Sequence, residues 1–448
     1  MARLPRLALG TIQRDADSQA IFWALLEAFR RSGVQVQGFL SQARCPRSPD
    51  ASERTGPGPR HLDSWLMTPE SCRDVFFRGL RAADLALVEG SFTSAGDGDS
   101  AGGKLDPLCD WLDLPRLAIV DARRLGACRL PERPEHLDGL LLDHVRDDGD
   151  LARLTIDLES LWGVPVLGGL ESLPRLRRQL QGPGQGGWPP RDVCCQLGAR
   201  LMRSWKPERI LRIACLREMS RGGLAPLGST GRESRLTVAI AYDEAFNGYF
   251  AETLDLLEAR GASVVDFSPL RDEHLPSQAD VVYLGCGHPE RFAATLAENH
   301  CMKAALRSHL FAGRRLYGEG GGAAYLCQQM ETPDGQLQRM VGVLPAVARL
   351  VRHPGPTHPC DVTLARPSWL GDAGTRVRGY RVPQWRLEPA GALSSFLAEQ
   401  EHRNDLVGGF HSVGSLIHLY FAAQPAFLDH FFWPELPHSD VLNSGIAW

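Results

Sequence analysis

Lysine is nearly absent from this chain. Of its 49 basic residues only Lys104, Lys206 and Lys303 are lysines, a bias that reads as genome composition. Long hydrophobic runs are absent too. No stretch approaches the roughly 18 uninterrupted apolar residues of a spanning helix, so none is expected. The opening MARLPRLALGTIQRD has an apolar stretch too short, and too interrupted by Arg3, Pro5 and Arg6, to be a signal peptide. Charge of one sign is lacking: the formal net charge is −4, which offers no bulk attraction for nucleic acid or an anionic membrane surface. The 11 cysteines are odd in number and contain no C-x-x-C pair, the vicinal Cys194-Cys195 being their only cluster. A disulfide framework and a Cys-rich zinc site are therefore not expected, and reduced thiols in a cytoplasmic protein are. No repeat of about 20–50 residues is visible.

What is present is ordinary for a folded chain. With 448 residues, 43% hydrophobic and 23% charged, two or three domains are expected, and disorder, collagen and coiled coil are excluded. Leu7-Ala8-Leu9 reads as a strand and Gly10-Thr11 as a turn. Ile21, Phe22, Leu25, Leu26 and Phe29 then recur at helical spacing, Gly33 ends the helix, and Val34-Gln35-Val36 opens another strand. Leu85–Val88, Leu117–Val120, Gly139–Leu142 and Val164–Leu167 are further strand candidates, so the pattern is that of a doubly wound parallel sheet. Residues 181–190 (QGPGQGGWPP) and 219–234 (MSRGGLAPLGSTGRES) read as linkers. The second is the better boundary, because a strand at Leu236–Ala241, a helix at Glu252–Ala259, a stop at Gly261 and a strand at Val264–Phe267 follow it. The expected organisation is a first domain over 1–218, a linker over 219–234 and a second α/β domain over 235–448.

Ordered blocks run through the chain. In the second half they are Phe267-Ser268-Pro269-Leu270-Arg271-Asp272-Glu273, Tyr283-Leu284-Gly285-Cys286-Gly287-His288-Pro289-Glu290, Tyr317-Gly318-Glu319-Gly320-Gly321-Gly322, Val341-Gly342-Val343-Leu344-Pro345 and Gly414-Ser415-Leu416-Ile417-His418-Leu419-Tyr420-Phe421. In the first half they are Leu62-Asp63, Val88-Glu89-Gly90 and Gly163-Val164-Pro165-Val166-Leu167-Gly168. Together they resemble the cobyrinate a,c-diamide synthase family, in which an ATP-dependent ligase domain precedes a class I-like glutamine amidotransferase domain. The resemblance implies a P-loop-NTPase-like parallel sheet followed by a flavodoxin-like amidotransferase domain. It places the nucleophile at Gly320, the base at His418, and oxyanion contacts at Gly285, Gly287 and Gly321.

Several motifs depart from that pattern. The family's elbow is approximately Glu-Cys-Gly-Gly, whereas this chain has Glu319-Gly320-Gly321-Gly322, so the elbow thiol a glutaminase needs is missing. Cys286 is the one candidate substitute; otherwise it reads as a small apolar residue filling the space beside the elbow. Cys327 is expected two turns down the following helix, facing away. The phosphate loop, aligned from Gly10-Thr11, continues Arg14, Asp15, Ala16, Asp17, Ser18. Asp17 stands where the family has its phosphate-neutralising lysine and would repel a triphosphate. Ser18 and Glu89 match positions the family associates with Mg²⁺, and Asp97 a following acid. In the family's substrate strand the lysine position is Leu40 here, and the acidic run has become basic, with Arg44 and Arg47 as candidate forks for carboxylates such as those of a tetrapyrrole. The family's His-Glu-Phe-His-like run is Tyr380-Arg381-Val382-Pro383 here. His353, His358 and Cys360 read as chance proximity, and Gly96-Asp97-Gly98-Asp99 lacks the parts of a calcium loop, so no metal is expected.

Three functions stay open. The first, favoured by the losses, is a catalytically degenerate relative acting as a binding or partner subunit, with a tetrapyrrole ligand and an active homologue or other subunit as candidate partners. The second is active ATP- and glutamine-dependent amidation of tetrapyrrole carboxylates. The third is changed chemistry in the former glutaminase cleft through His418, Glu319 and Cys286. ATP and Mg²⁺ are expected as cofactors only under the second.

Overall fold

The structure is a computed structural model that describes residues 4–13, 16–44, 58–92, 101–125, 133–180, 189–218, 236–368, 370–424 and 427. The chain divides into two compact units: of the described residues, those up to 218 form the first, except Arg44, which groups with the second, and those from 236 on form the second.

The first unit alternates strand and helix. Its elements are β1 (Arg6–Thr11), α1 (Gln19–Arg31), β2 (Val36–Leu40), β3 (Arg60–His61), α2 (Pro69–Gly79), β4 (Leu85–Ser91) and α3 (Leu105–Leu112). Then come β5 (Arg116–Asp121), β6 (Leu137–Val145), α4 (Asp148–Trp162), β7 (Val166–Glu171), α5 (Pro174–Leu180), α6 (Arg191–Leu201) and α7 (Pro207–Ala214). The seven strands form one sheet in the order β3-β2-β4-β1-β5-β6-β7, every neighbouring pair parallel. Burial on both faces explains why β1 and β5 read as apolar runs and not as alternations. Ile21, Phe22, Leu25 and Phe29 of α1 pack on Leu7, Leu9, Leu117 and Ile119. Chain order reverses at β1, between β4 and β5, so the β1–α1 loop lies at the crevice where open α/β sheets bind ligands.

The second unit contains β8 (Thr237–Ala241), β9 (Phe246–Gly248), α8 (Ala251–Ala259), β10 (Ser263–Phe267), β11 (Val281–Leu284), β12 (Cys286–Gly287), α9 (Ala293–Glu298) and α10 (His300–Phe311). It continues with β13 (Arg315–Glu319), α11 (Gly321–Leu326), β14 (Cys327–Glu331), β15 (Leu337–Arg339), β16 (Leu344–Leu350), β17 (His358–Thr363) and β18 (Arg376–Arg381). The last strands are β19 (Trp385–Pro389), β20 (Leu406–Gly408), β21 (Ser412–Ser415) and β22 (Ile417–His418). The main sheet runs β10-β8-β11-β13-β21-β20, parallel except for the edge pair β20–β21. Its core joins Phe246, Leu284, Leu316 and Tyr325 to Met330 and Trp385. Among the described residues, no helix is long and apolar enough to cross a membrane.

Both units are therefore α/β, a P-loop-NTPase-like parallel sheet followed by a flavodoxin-like amidotransferase sheet. Two local expectations need correction. The second strand begins at Val36 and not Val34, because the Gln35 N–H donates to the Asp84 carboxylate at 2.9 Å and stays off the ladder. Cys327 does not lie two turns into a helix: α11 ends at Leu326, and Cys327 starts a strand that pairs with β16.

Candidate active site

The site begins where β13 gives way to α11. Glu319 ends the strand, Gly320 turns the chain at φ 56° and ψ −109°, and Gly321 starts the helix. That left-handed conformation is open to glycine at little cost. The turn is tight, since a Cβ on Gly322 would sit 2.0 Å from the Leu284 carbonyl oxygen. The elbow backbone is thus intact without its thiol.

The neighbouring strand β11 leads into Gly285-Cys286-Gly287. The Gly285 N–H donates to the Tyr249 hydroxyl at 2.9 Å, so this N–H, which the family resemblance makes an oxyanion donor, is engaged within the fold. Its carbonyl accepts from Gly322 N–H at 3.1 Å, tying the loop to the elbow. Cys286 points its sulfur into the space beside Gly320: a Cβ placed on Gly320 would lie 3.0 Å from Cys286 Sγ and 3.9 Å from His418 Cε1. His418 arrives on β22, which pairs with β18.

Three side chains meet here. His418 Nδ1 lies 3.1 Å from Cys286 Sγ and 2.6 Å from Glu319 Oε1. The Cys286 thiol also lies 3.5 Å from the Glu319 carbonyl oxygen, which can accept from it. The second carboxylate oxygen of Glu319 accepts from the hydroxyls of Tyr283, at 2.8 Å, and Tyr317, at 3.2 Å. All three residues are buried, Cys286 being 2% exposed. Burial works against an imidazolium, but the Cys286 sulfur and the Glu319 carboxylate outweigh it and push His418 up to about 9. Burial, followed by the Glu319 charge, pushes the Tyr317 hydroxyl far up, so it stays a donor. The sulfur, nitrogen and carboxylate oxygen lie within 4.8 Å of one another. They form a donor set of the kind zinc takes, one ligand short of a closed tetrahedral site.

The structure thus brings together Gly285, Cys286, Gly287, Gly320, Gly321 and His418, with Glu319 among them. Tyr283 and Tyr317 were given no role by sequence reasoning, although a signal existed. Tyr317 and Glu319 are two apart on one strand and so share a face, and Tyr283 is the register partner of Tyr317. Cys327 is fully buried and donates to Ala323 O at 3.3 Å; burial pushes its thiol far up.

In the first unit Gly10, Thr11, Asp17, Ser18 and Glu89 gather at one end of β1 and β4, where Gly10 pairs with Gly90 and Thr11 with Ser91. Gly10 is packed tightly: a Cβ there would lie 2.7 Å from both Leu105 and Phe92. Ser18 donates to Glu89. The Asp17 carboxylate accepts from the Gln19 N–H at 2.9 Å, so an internal anion holds the helix start that would otherwise receive a phosphate. Gln13 is stitched to β5, accepting from Asp121 N–H at 2.6 Å. The chain has no glycine between Gly10 and Gly33 and no lysine before Lys104. These residues do not fit a magnesium-bound triphosphate. Arg44 is half-buried, whereas Arg47 and Asp97 lie outside the described residues.

A strand–turn–helix elbow of glycines on a parallel sheet, met by a thiol from the facing loop, an imidazole and a carboxylate, is the architecture of a glutamine amidotransferase-type domain. Residues 237–424 match the family described as the CobB/CobQ-like glutamine amidotransferase domain. Over nearly its whole length the chain is 30% identical to the cobyrinate a,c-diamide synthase of Syntrophotalea carbinolica, with 95% of this chain and 98% of that one covered. It is 27% identical to the enzyme of that name from Methanothermobacter thermautotrophicus, covering 84% and 88%. It is also 30% identical to the hydrogenobyrinate a,c-diamide synthase of Streptomyces coelicolor, covering 83% and 85%. The chain belongs to the cobyrinate a,c-diamide synthase family.

Proposed function

We propose that the protein carries out the glutamine-hydrolysing part of the family's amide transfer, releasing ammonia for amidation of a carboxylate on a tetrapyrrole acid. One observation carries the reading: the elbow, the Gly285–Gly287 loop and His418 converge, and a buried thiol and carboxylate lie against the imidazole, which supplies the nucleophile and base that amide hydrolysis by a thiol uses. The relatives' names supply the acceptor class. The test is glutamate release from glutamine by the purified full chain. Turnover that is lost in His418→Ala supports the reading, and no glutamate above the uncatalysed rate overturns it.

A second reading concerns the first unit. The Asp17 carboxylate at the start of α1 favours a subunit that does not activate the acceptor carboxylate itself. The acceptor would then be activated by an intact homologue or another partner protein. Restoration of amide formation by an added active homologue, with this chain providing ammonia, supports it. Saturable MgATP binding by this chain alone would count against it.

A further inference from the structure

We infer that the nucleophile of this protein has moved across the site, from the elbow to the facing loop, and is Cys286. The inference rests on the glutaminase reading above and names its reacting atom. The sulfur enters the space a side chain at Gly320 would use, 3.0 Å from the position of that missing Cβ. It approaches the elbow from β12, whose pairing with β9 holds the loop. A Cβ on Gly287 would lie 2.0 Å from Ala245 O, so the loop is pressed against its neighbour and Cys286 is held in place.

The base is in place for this thiol. His418 Nδ1 donates to Glu319, 2.6 Å away and fixed by the two tyrosine hydroxyls, which leaves Nε2, 3.5 Å from Cys286 Sγ, to take the thiol proton. The imidazolium formed when His418 takes the thiol proton would be held by the Glu319 carboxylate, and the thiolate left behind is the reactive form of cysteine. Cys327, the other cysteine near the elbow, faces Ala323 O and makes no contact with His418.

The reaction balances with glutamine and water alone. The Cys286 thiolate attacks the carboxamide carbon and forms a C–S bond, with the carbonyl electron pair moving to oxygen. Collapse of the tetrahedral adduct breaks the C–N bond, and the His418 imidazolium gives its proton to the leaving nitrogen, which departs as ammonia. Water then attacks the γ-glutamyl thioester while neutral His418 takes a proton. Cleavage of the C–S bond releases glutamate and restores the thiolate–imidazolium pair.

The test uses the full chain and two readouts. One is glutamate release. The other is covalent labelling by the chloromethyl ketone analogue of glutamine, located by peptide mass mapping. The expected result is label on Cys286 that millimolar glutamine suppresses, and a fall in glutamate release of at least about 100-fold in Cys286→Ser, with Cys327→Ser unchanged. The alkylation rate of Cys286 at pH 7 should fall about tenfold in His418→Asn, since the thiolate loses its counter-charge. The double variant Cys286→Gly with Gly320→Cys should carry the label on the introduced thiol, which keeps the assignment testable should Cys286→Ser fold poorly. Glutamate release that survives Cys286→Ser overturns Cys286 and leaves the glutaminase reading standing. Glutamine-protected labelling of Cys286 without glutamate release supports Cys286 and removes that reading. Absence of both overturns both.

Discussion

Replacing Gly320 with alanine tests whether the Cys286 sulfur truly occupies the elbow. Two costs add at this position. The backbone sits at φ 56° and ψ −109°, a conformation that costs a non-glycine residue about 1–3 kcal/mol. The new methyl would also stand 3.0 Å from Cys286 Sγ, and forcing a side chain aside in a packed interior costs a further ~1–2 kcal/mol. The sum is about 2–5 kcal/mol. Gly342 is the control: it has φ +81° with nothing within 4 Å of an added Cβ, so Gly342→Ala meets strain alone, about 1 kcal/mol. For a unit of this size each kcal/mol lowers Tm by roughly 2–4 °C. Scanning calorimetry should show a loss of about 4–20 °C for Gly320→Ala and about 2–4 °C for Gly342→Ala. The decisive comparison is the Cys286→Ala background, where the nearest remaining Cys286 atom is its Cβ at 3.9 Å, an ordinary contact. There the packing part of the Gly320→Ala cost should vanish, a coupling of about 1–2 kcal/mol, while the backbone part stays. A Gly320→Ala cost that is the same with and without the sulfur would refute the placement.

Calorimetric titration of the full chain with MgATP should show no saturable heat at millimolar ligand, because Asp17 already caps α1. Asp17→Lys alone should not restore binding, since the loop still lacks glycines. Tyr283→Phe removes a 2.8 Å donor to the Glu319 carboxylate; it should lower stability by about 1.5–3 kcal/mol in urea unfolding and reduce glutamate release. Glu27 is held down to about 2, from an ordinary 4.5, chiefly by its hydrogen bond from Arg30 and also by Arg31. Its stabilisation is therefore complete above pH 4.5 and lost as pH falls through about 2. Both arginines are partly exposed, so the effect is screened to ~1 kcal/mol, and Glu27→Gln should flatten that part of the stability–pH curve. Arg177→Met removes the buried cation beside Asp143 and leaves it only His144; urea unfolding should show a loss of about 3–5 kcal/mol.

Much of the scaffold was legible in the sequence because single periodicities carry it. The α1 stripe from Ile21 to Phe29 and the apolar runs of β1, β4 and β5 follow from local pattern and two-sided burial. Ends were less legible where a distant side chain decides them, as Asp84 does for Gln35. The short α11 had no stop signal in Gly321–Leu326; it ends because pairing of β14 with β15 and β16 takes over at Cys327. The elbow was legible through its glycines, and the resemblance already placed Cys286, Glu319 and His418 in one cleft, but their mutual contacts were not legible. Cys286 and His418 are 132 positions apart, and Glu319 is 99 from His418. Only parallel pairing of β11, β13 and β21 sets their strand ends side by side. Cys286 was expected first as a space-filler, and linear spacing could not have shown its sulfur against an imidazole.

The two units depart from the family pattern to different depths, and the chemistry they would perform explains the difference. A nucleophile is one atom that must lie within reach of a base and of the carbon it attacks. One residue in a facing loop can supply that atom, because the elbow, His418 and Glu319 stay where they are. A triphosphate site is distributed: several backbone N–H groups, a lysine and a hydroxyl must converge, and a glycine at each tight point lets the phosphate approach. Among the described residues of the loop after β1, Gln13 is spent on Asp121 and Asp17 on the start of α1. No single side chain elsewhere can stand in for that cradle. The full chain is therefore expected to hydrolyse glutamine and to bind no MgATP, and each expectation fails independently of the other.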